Sequence, residues 1–269
     1  MTPYQAAILA LVQAVTEFLP VSSSGHLILL PRLLGWSDQG LEFDIATNTG
    51  TLLAVMAYFR AELLRMAHGF RASFSAPERA CNLDARLLYA LLWGTIPASA
   101  VGLLVKDWVE TYGREPRLIA TTAIFYGTLL IVADRIGRKT RTEGEIGLRE
   151  ALLIGCAQAL ALVPGTSRSG VTITAALLLG FARPAAARFS FLLAVPLGLL
   201  IAGNQLKDVL RGESLGVPPL AIAIGIAVSA LAGYAVIAFL LGWIRSRPLA
   251  PFGWYRVALG LALLLLFQG

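Results

Sequence analysis

The chain has 269 residues, 57% of them hydrophobic and only 14% charged, with a mean hydropathy of +0.72. A soluble domain carries about 25% charged residues, so the composition excludes an ordinary soluble enzyme and points to an all-α polytopic membrane protein. The net charge of +6 has no basic face interleaved with aromatics beside it, which argues against a nucleic-acid partner and for charges that orient membrane spans. The opening stretch, MTPYQAAILALVQAVTEF, lacks a basic n-region and carries Gln13 and Glu17 inside its apolar run, so it does not read as a cleavable signal peptide.

In chain order, the first region, 4–35, consists of two apolar arms of about 10–15 residues around a Ser/Gly/Pro-rich centre, too short to span singly. A re-entrant helical hairpin is expected there. Spans follow at roughly 41–59, 86–105 and 117–134, with an Arg-rich loop after the first that also holds His68. A second broken region, 148–182, repeats the hairpin pattern, and spans at about 185–204, 218–244 and 252–267 complete the chain. Irregular backbone at membrane depth is tolerated only where protein or a wet cavity surrounds it. Each half, about 1–135 and 148–269, is thus one hairpin plus three spans within a single integral membrane domain, 1–269. A hairpin returns to the side it entered while three spans change sides, so the second hairpin enters from the opposite face. That is an inverted-topology repeat, with both tips able to meet inside the membrane.

The basic residues orient this layout. Arg60, Arg65, Arg71, Arg79, Arg86, Arg135, Arg138, Lys139, Arg141, Arg149, Arg183, Arg188, Arg245 and Arg247 fall on one side. Arg32, Lys106, Arg114, Arg117, Lys207 and Arg211 fall on the other. The richer side is expected to be cytoplasmic, which puts hairpin one and both termini at the outer face. Cys81 sits in the Arg-rich loop and Cys156 in an apolar segment, an arrangement that argues against a disulfide or a cysteine metal site. Trp93, Trp108, Trp243 and Trp254 read as interface anchors near span ends. Arg256 lies within an apolar segment and either snorkels or faces a cavity.

The two broken regions are versions of each other. QAVTEFLPVSSSGH, Gln13 to His26, and QALALVPGTSRSGV, Gln158 to Val171, agree at Gln13/Gln158, Ala14/Ala159, Ser22/Ser167, Ser24/Ser169 and Gly25/Gly170. Gln13 and Glu17 stand one helical turn apart on one face, and the chain then turns at Pro20 to present Ser22, Ser23, Ser24 and His26. A carboxylate, hydroxyls and an imidazole offer a nucleophile or water, a base and metal ligands. The bland alternative is that the serines cap the next half-helix and that Glu17 and His26 satisfy each other. Hairpin two, PGTSRSGVT, combines exposed backbone N–H groups with Arg168 and the hydroxyls of Ser167, Ser169 and Thr172, a set suited to phosphate. Its bland alternative is a buried Arg168–Glu17 ion pair, which would also join the tips.

The run from Gln13 through Glu17 to LPVSSSGH, followed by PGTSRSGVT, resembles the undecaprenyl-diphosphate phosphatase family of bacteria, also called the bacitracin-resistance family. The likeness extends over essentially the whole chain. It implies an enzyme of the bacterial inner membrane that hydrolyses undecaprenyl diphosphate to the monophosphate through a site open to the periplasmic side. This activity recycles the cell-wall lipid carrier and confers bacitracin resistance. The resemblance places Glu17 at the essential acidic position, Gln13 at its Glu-or-Gln partner, Ser23 at the nucleophile with Ser22 beside it, and His26 at a base or activator. Ser24, Ser167, Arg168, Ser169 and Thr172 fall in the phosphate-holding motifs. It also implies Mg²⁺ or Ca²⁺ held by Glu17 and Gln13 together with substrate phosphates. Because Gln13 stands where many relatives have a second carboxylate, metal binding is expected to lean on the substrate. The lipid substrate and the bilayer are the implied partners, with a homodimer left open.

Ser24-Gly25-His26 is also similar to part of the type 2 phosphatidic-acid phosphatase signature, but Thr174 stands where that family needs its second histidine. The rival from another class is a transporter or flippase for the lipid phosphate, since inverted repeats and broken helices suit one equally well. The Glu17/Ser23/His26 cluster favours hydrolysis, because a passive anion site needs no carboxylate.

Overall fold

The computed structural model describes residues 1–75, 82–112, 115–211 and 216–267, with side chains omitted at 75, 106–112 and 208–210. Arg79, Cys81, Arg114 and the side chains of Lys106 and Trp108 lie outside the described residues. The described chain is all helical: α1 Pro3–Phe18, α2 Ser23–Leu34, α3 Leu41–Tyr58, α4 Arg60–Ser75, α5 Leu83–Tyr112, α6 Pro116–Ile136, α7 Leu148–Leu160, α8 Arg168–Leu178, α9 Arg183–Leu210, α10 Pro219–Trp243 and α11 Ala250–Leu266.

Local chemistry sets the breaks. At the start of α1, Thr2 and Gln5 cap each other reciprocally and Pro3 occupies the first turn, where its missing N–H costs nothing. The helix stops at Phe18 because Pro20 forces Leu19 into an extended conformation (φ −65°, ψ 137°). Ser22 then caps α2, and Gly35, left-handed at φ 67°, ends it. The second broken region behaves alike: α7 ends at Leu160, Gly165 turns the chain at φ 87°, and Ser167 caps α8. Each pair of half-helices packs on itself, so both expected hairpins are present.

Four helical segments, Leu83–Val105, Pro116–Ile136, Arg183–Lys207 and Pro219–Trp243, are long and apolar enough to cross a membrane, and Ala250–Leu266 is a shorter apolar helix. With its all-helical architecture this makes the chain a multi-pass membrane protein. The span expected at 41–59 forms α3, but Glu42, Asp44, Thr47 and Asn48 leave it more polar than those four, for a reason that lies in the site below. The expected Arg-rich loop is instead α4 from Arg60 to Ser75: Leu63, Met66 and Phe70 recur at helical spacing, and Met66 is buried in the core while Arg60, Arg65 and Arg71 face outward. His68 is on this helix, exposed.

Helices approach closely where side chains are minimal. α7 meets α5 at Gly155, where a Cβ would lie 2.2 Å from the Gly94 carbonyl oxygen. The other principal contacts are α6 with α11, α3 with α10, and α1 with α10. The core gathers phenylalanines from both halves, Phe18 meeting Phe191 edge-on with ring centroids 5.3 Å apart. At one end, buried Asp134 of α6 accepts from Arg183 Nε at 2.5 Å and from the backbone N–H groups of Leu249 and Ala250, tying α6, α9 and the start of α11 together.

Candidate active site

The two hairpin tips meet. Glu17, at the end of α1 and largely buried, accepts from Arg168 Nη2 of hairpin two at 2.5 Å through Oε1. Its other oxygen accepts from Ser23 Oγ at 2.6 Å and from Gln13 Nε2 at 3.2 Å. A carboxylate with three donors, one of them a guanidinium, is fixed in orientation. Gln13 is itself oriented by donating to Asn48 Oδ1 at 3.0 Å, while Asn48 Nδ2 donates to the Asp44 carbonyl. Those bonds leave Gln13 Oε1 as a buried acceptor with no partner among the described residues.

These residues open onto a cavity of about 500 Å³. Glu17, Ser23, Ser24, Ser167 and Arg168 form its polar end, joined by Asp44 and Asn48 of α3, while Leu41, Ile45, Leu52, Leu162, Leu197 and Ile201 supply apolar walls. This lining role accounts for Asp44 and Asn48 in α3. Asp44 also accepts from Gln39 Nε2 at 2.7 Å.

Positions 145 residues apart carry the site in pairs. Ser22 (φ 79°, ψ 96°) and Ser167 (φ 69°, ψ 111°) share a backbone conformation rare for residues with a Cβ. Each caps the next half-helix by accepting from a glycine N–H, Gly25 or Gly170. One residue on, Ser23 and Arg168 project into the same cavity, and Glu17 shares it with Leu162 at the matching place in the other repeat. Strain of this kind, costing about 1–3 kcal/mol per residue, marks functional turns.

The other expected residues fall outside the cavity lining. Ser169, 3% exposed, reaches the Leu19 carbonyl of hairpin one at 3.4 Å and so ties the tips together. Thr172 is fully buried, donating to the Arg168 carbonyl and sharing a 2.7 Å hydrogen bond with Ser190 of α9. His26 turns away from Ser23: Nδ1 lies 2.7 Å from the Ser22 carbonyl, Nε2 lies 2.6 Å from the Tyr255 hydroxyl, and the His26 and Tyr255 rings stack at 9°. Because Ser22 offers a carbonyl, Nδ1 carries the proton and Nε2 accepts from Tyr255. His26 lines a different, apolar cavity with Leu11, Val15, Phe252 and Tyr255. Asp44, Asn48 and Tyr255 were not anticipated. The only signal was polar residues one turn apart, Asp44 and Asn48, inside an otherwise apolar run.

For a divalent cation, no group of three or more His, Cys, Asp or Glu side chains is assembled among the described residues. The donor set nevertheless suits Mg²⁺ or Ca²⁺, which bind through one or two carboxylates plus substrate phosphates. Glu17 and Asp44 line one cavity, and the unpartnered Gln13 Oε1 is a hard oxygen beside Glu17.

Residues 6–262 match the family described as bacitracin resistance protein BacA. The chain is similar to the undecaprenyl-diphosphatase of Magnetococcus marinus, 51% identical over 265 residues that cover 98% of both chains. It is also similar to undecaprenyl-diphosphatase 2 of Stutzerimonas stutzeri, 49% identical over 268 residues and 98% of both chains.

Proposed function

This chain belongs to the bacitracin resistance protein BacA family, and from that premise and the joined hairpin tips we infer that it is an undecaprenyl-diphosphatase. It is a membrane hydrolase that converts undecaprenyl diphosphate to the monophosphate and inorganic phosphate, an activity that serves cell-wall synthesis and bacitracin resistance. The observation that carries the mechanism is the Ser23–Glu17–Arg168 chain, which joins a hydroxyl, a carboxylate and a guanidinium across two hairpins.

The cavity matches the two parts of such a lipid. Its polar end takes the diphosphate, and its apolar walls take the first units of the prenyl tail. Arg168 is a planar fork that binds phosphate oxygens bidentately, and it holds the terminal phosphoryl group where negative charge concentrates in transfer. Ser23 Oγ attacks the terminal phosphorus while its proton passes to Glu17 Oε2. The bond to the bridging oxygen breaks, and undecaprenyl phosphate leaves with the bonding electrons. Water then hydrolyses the phosphoserine, returning Ser23 and releasing phosphate. Glu17, rather than His26, is the base, because it alone is bonded to the Ser23 hydroxyl. Ser24 and Ser167 border the phosphate, while Ser22, Ser169, Thr172 and His26 hold the tips in shape. A divalent cation would be held by Glu17 and Gln13, with Asp44 the further carboxylate on the cavity, and would neutralise charge on the diphosphate oxygens.

We further propose that the two halves are related by inversion across the membrane, a reading supported by the matched caps at Ser22 and Ser167 and by tips that meet head to head. The excess of Arg and Lys on one side supports a reading in which that side faces the cytoplasm of a bacterial inner membrane and the cavity opens to the periplasmic face. Phosphate release from undecaprenyl diphosphate by the purified protein tests the function. Release that needs Mg²⁺ or Ca²⁺, stops with chelator and is lost in Glu17→Ala is expected; no release from folded protein would instead indicate a lipid-phosphate carrier.

A further inference from the structure

Arg256 is the largest fully buried side chain and takes no part in the chemistry above. It enters from α11, passes Gly127 of α6, where a Cβ would lie 2.8 Å from its own Cβ, and ends beside Gly170, where a Cβ would lie 2.7 Å from Nη1. No carboxylate pairs with it among the described residues. Instead Nη2 donates to the carbonyl oxygens of Gly165 at 2.9 Å and Thr166 at 2.7 Å, while Nε and Nη1 have no protein partner. A buried cation without a counter-charge is costly, so its position needs a reason beyond packing.

The reason lies in the loop it grips. The Pro164 carbonyl lies 2.9 Å from Thr122 Oγ1 of α6, whose single proton it shares with the Leu118 and Ile119 carbonyls. Three consecutive carbonyls of hairpin two therefore face α6 and α11. In a planar trans peptide the C=O and the N–H point in opposite directions, so the N–H groups of Gly165 and Ser167 are turned away from α6 and α11, while the Thr166 N–H closes the turn on the Val163 carbonyl at 3.2 Å. The Gly165 N–H reaches Ser24 Oγ of hairpin one at 3.5 Å, and Ser24 and Ser167 both line the cavity. Hydrogen bonds from a guanidinium also polarise the peptides they hold and make the opposite N–H groups better donors.

Resting on the phosphatase reading, we propose that Arg256 is a positioning residue: by clamping the Gly165 and Thr166 carbonyls from behind, it fixes the turn of hairpin two so that the Ser167 N–H, beside that of Gly165, faces the transferring phosphoryl group. The site thus holds two arginines with separate tasks. Arg168 meets the phosphate, and Arg256 shapes the backbone that meets it.

The test compares purified wild type with Arg256→Lys, which keeps the charge but loses the fork, and Thr122→Val, which removes the neighbouring clamp with little change in volume. For Arg256→Lys, kcat on undecaprenyl diphosphate should fall by about tenfold to hundredfold with KM unchanged. Inhibition by orthovanadate should weaken in parallel, and amide hydrogen exchange should speed up over residues 164–170. Thr122→Val should shift the same quantities less. A folded Arg256→Lys with wild-type kcat and wild-type exchange overturns the proposal. If Arg256→Lys does not fold, wild-type kcat and exchange in Thr122→Val overturn it. Should the wild type itself release no phosphate, the phosphatase reading falls, while the exchange comparison still decides whether Arg256 sets the loop.

Discussion

Glu17 answers to Arg168, Ser23 and Gln13 at once, so its removal is felt in three places. Glu17→Gln keeps the shape but takes away the base and the partner of a part-buried guanidinium. Turnover should fall by about 10²–10⁴-fold, measured as initial rates of phosphate release. Gln13→Glu would place a second carboxylate beside Glu17, and the Mg²⁺ or Ca²⁺ concentration for half-maximal activity should drop; an unchanged midpoint would remove Gln13 from the cation site. His26 bonds the Ser22 carbonyl and the Tyr255 hydroxyl rather than Ser23, so the proposed mechanism takes no proton through it. In His26→Gln the acid limb of kcat/KM should therefore persist even if the plateau falls, and its disappearance would return the base to His26. Glu17, Ser23 and Arg168 were legible in the sequence because ionisable and hydroxyl groups in an apolar run demand a purpose. Asp44 and Asn48 were less legible, since a span-length window averages them with their apolar neighbours. Thr172 belongs to the same motif as Arg168, but one turn further into α8 it meets Ser190, and no sequence pattern announces that neighbour.

At the scale of elements, the breaks were readable and the packing was not. Pro20 and the Pro164-Gly165 pair locate both tips, and the apolar spans fall within a few residues of α3, α5, α6, α9, α10 and α11. Helix α4 escaped because its arginines dominate its composition, although Leu63, Met66 and Phe70 keep helical spacing. Which helices touch was invisible, because it depends on backbone approaches such as Gly155 against Gly94. Gly165 is the most constrained joint: it combines φ 87° with a Cβ direction in which Thr122 Oγ1 would lie at 2.1 Å. Gly165→Ala should cost roughly 3 kcal/mol from strain and overpacking together, read as a lowered melting temperature in detergent. A melting temperature equal to wild type would mean that the tip relaxes freely.

For the whole molecule, the asymmetry of basic residues predicts a definite orientation. In a Cys81→Ala/Cys156→Ala background, Ser37→Cys, at an exposed position, should react with an impermeant maleimide in intact cells, and Ser246→Cys, also exposed, only after permeabilisation. The reverse pattern would turn the protein over and place the cavity towards the cytoplasm. The likeness of the two motifs was legible because Ser22/Ser167 and Ser24/Ser169 match, whereas the division of labour was not: Glu17 matches Leu162, and Arg168 matches Ser23. Two halves that supply different members of one ion pair must act together, and a double-mutant cycle on Glu17→Gln and Arg168→Gln, read as kcat for phosphate release, tests this most directly. If the hairpins form one catalytic unit, the double variant will be about as slow as the worse single variant, because groups that act as a unit are strongly non-additive. Losses that multiply would show two independent contributions and contradict a centre shared between the hairpins.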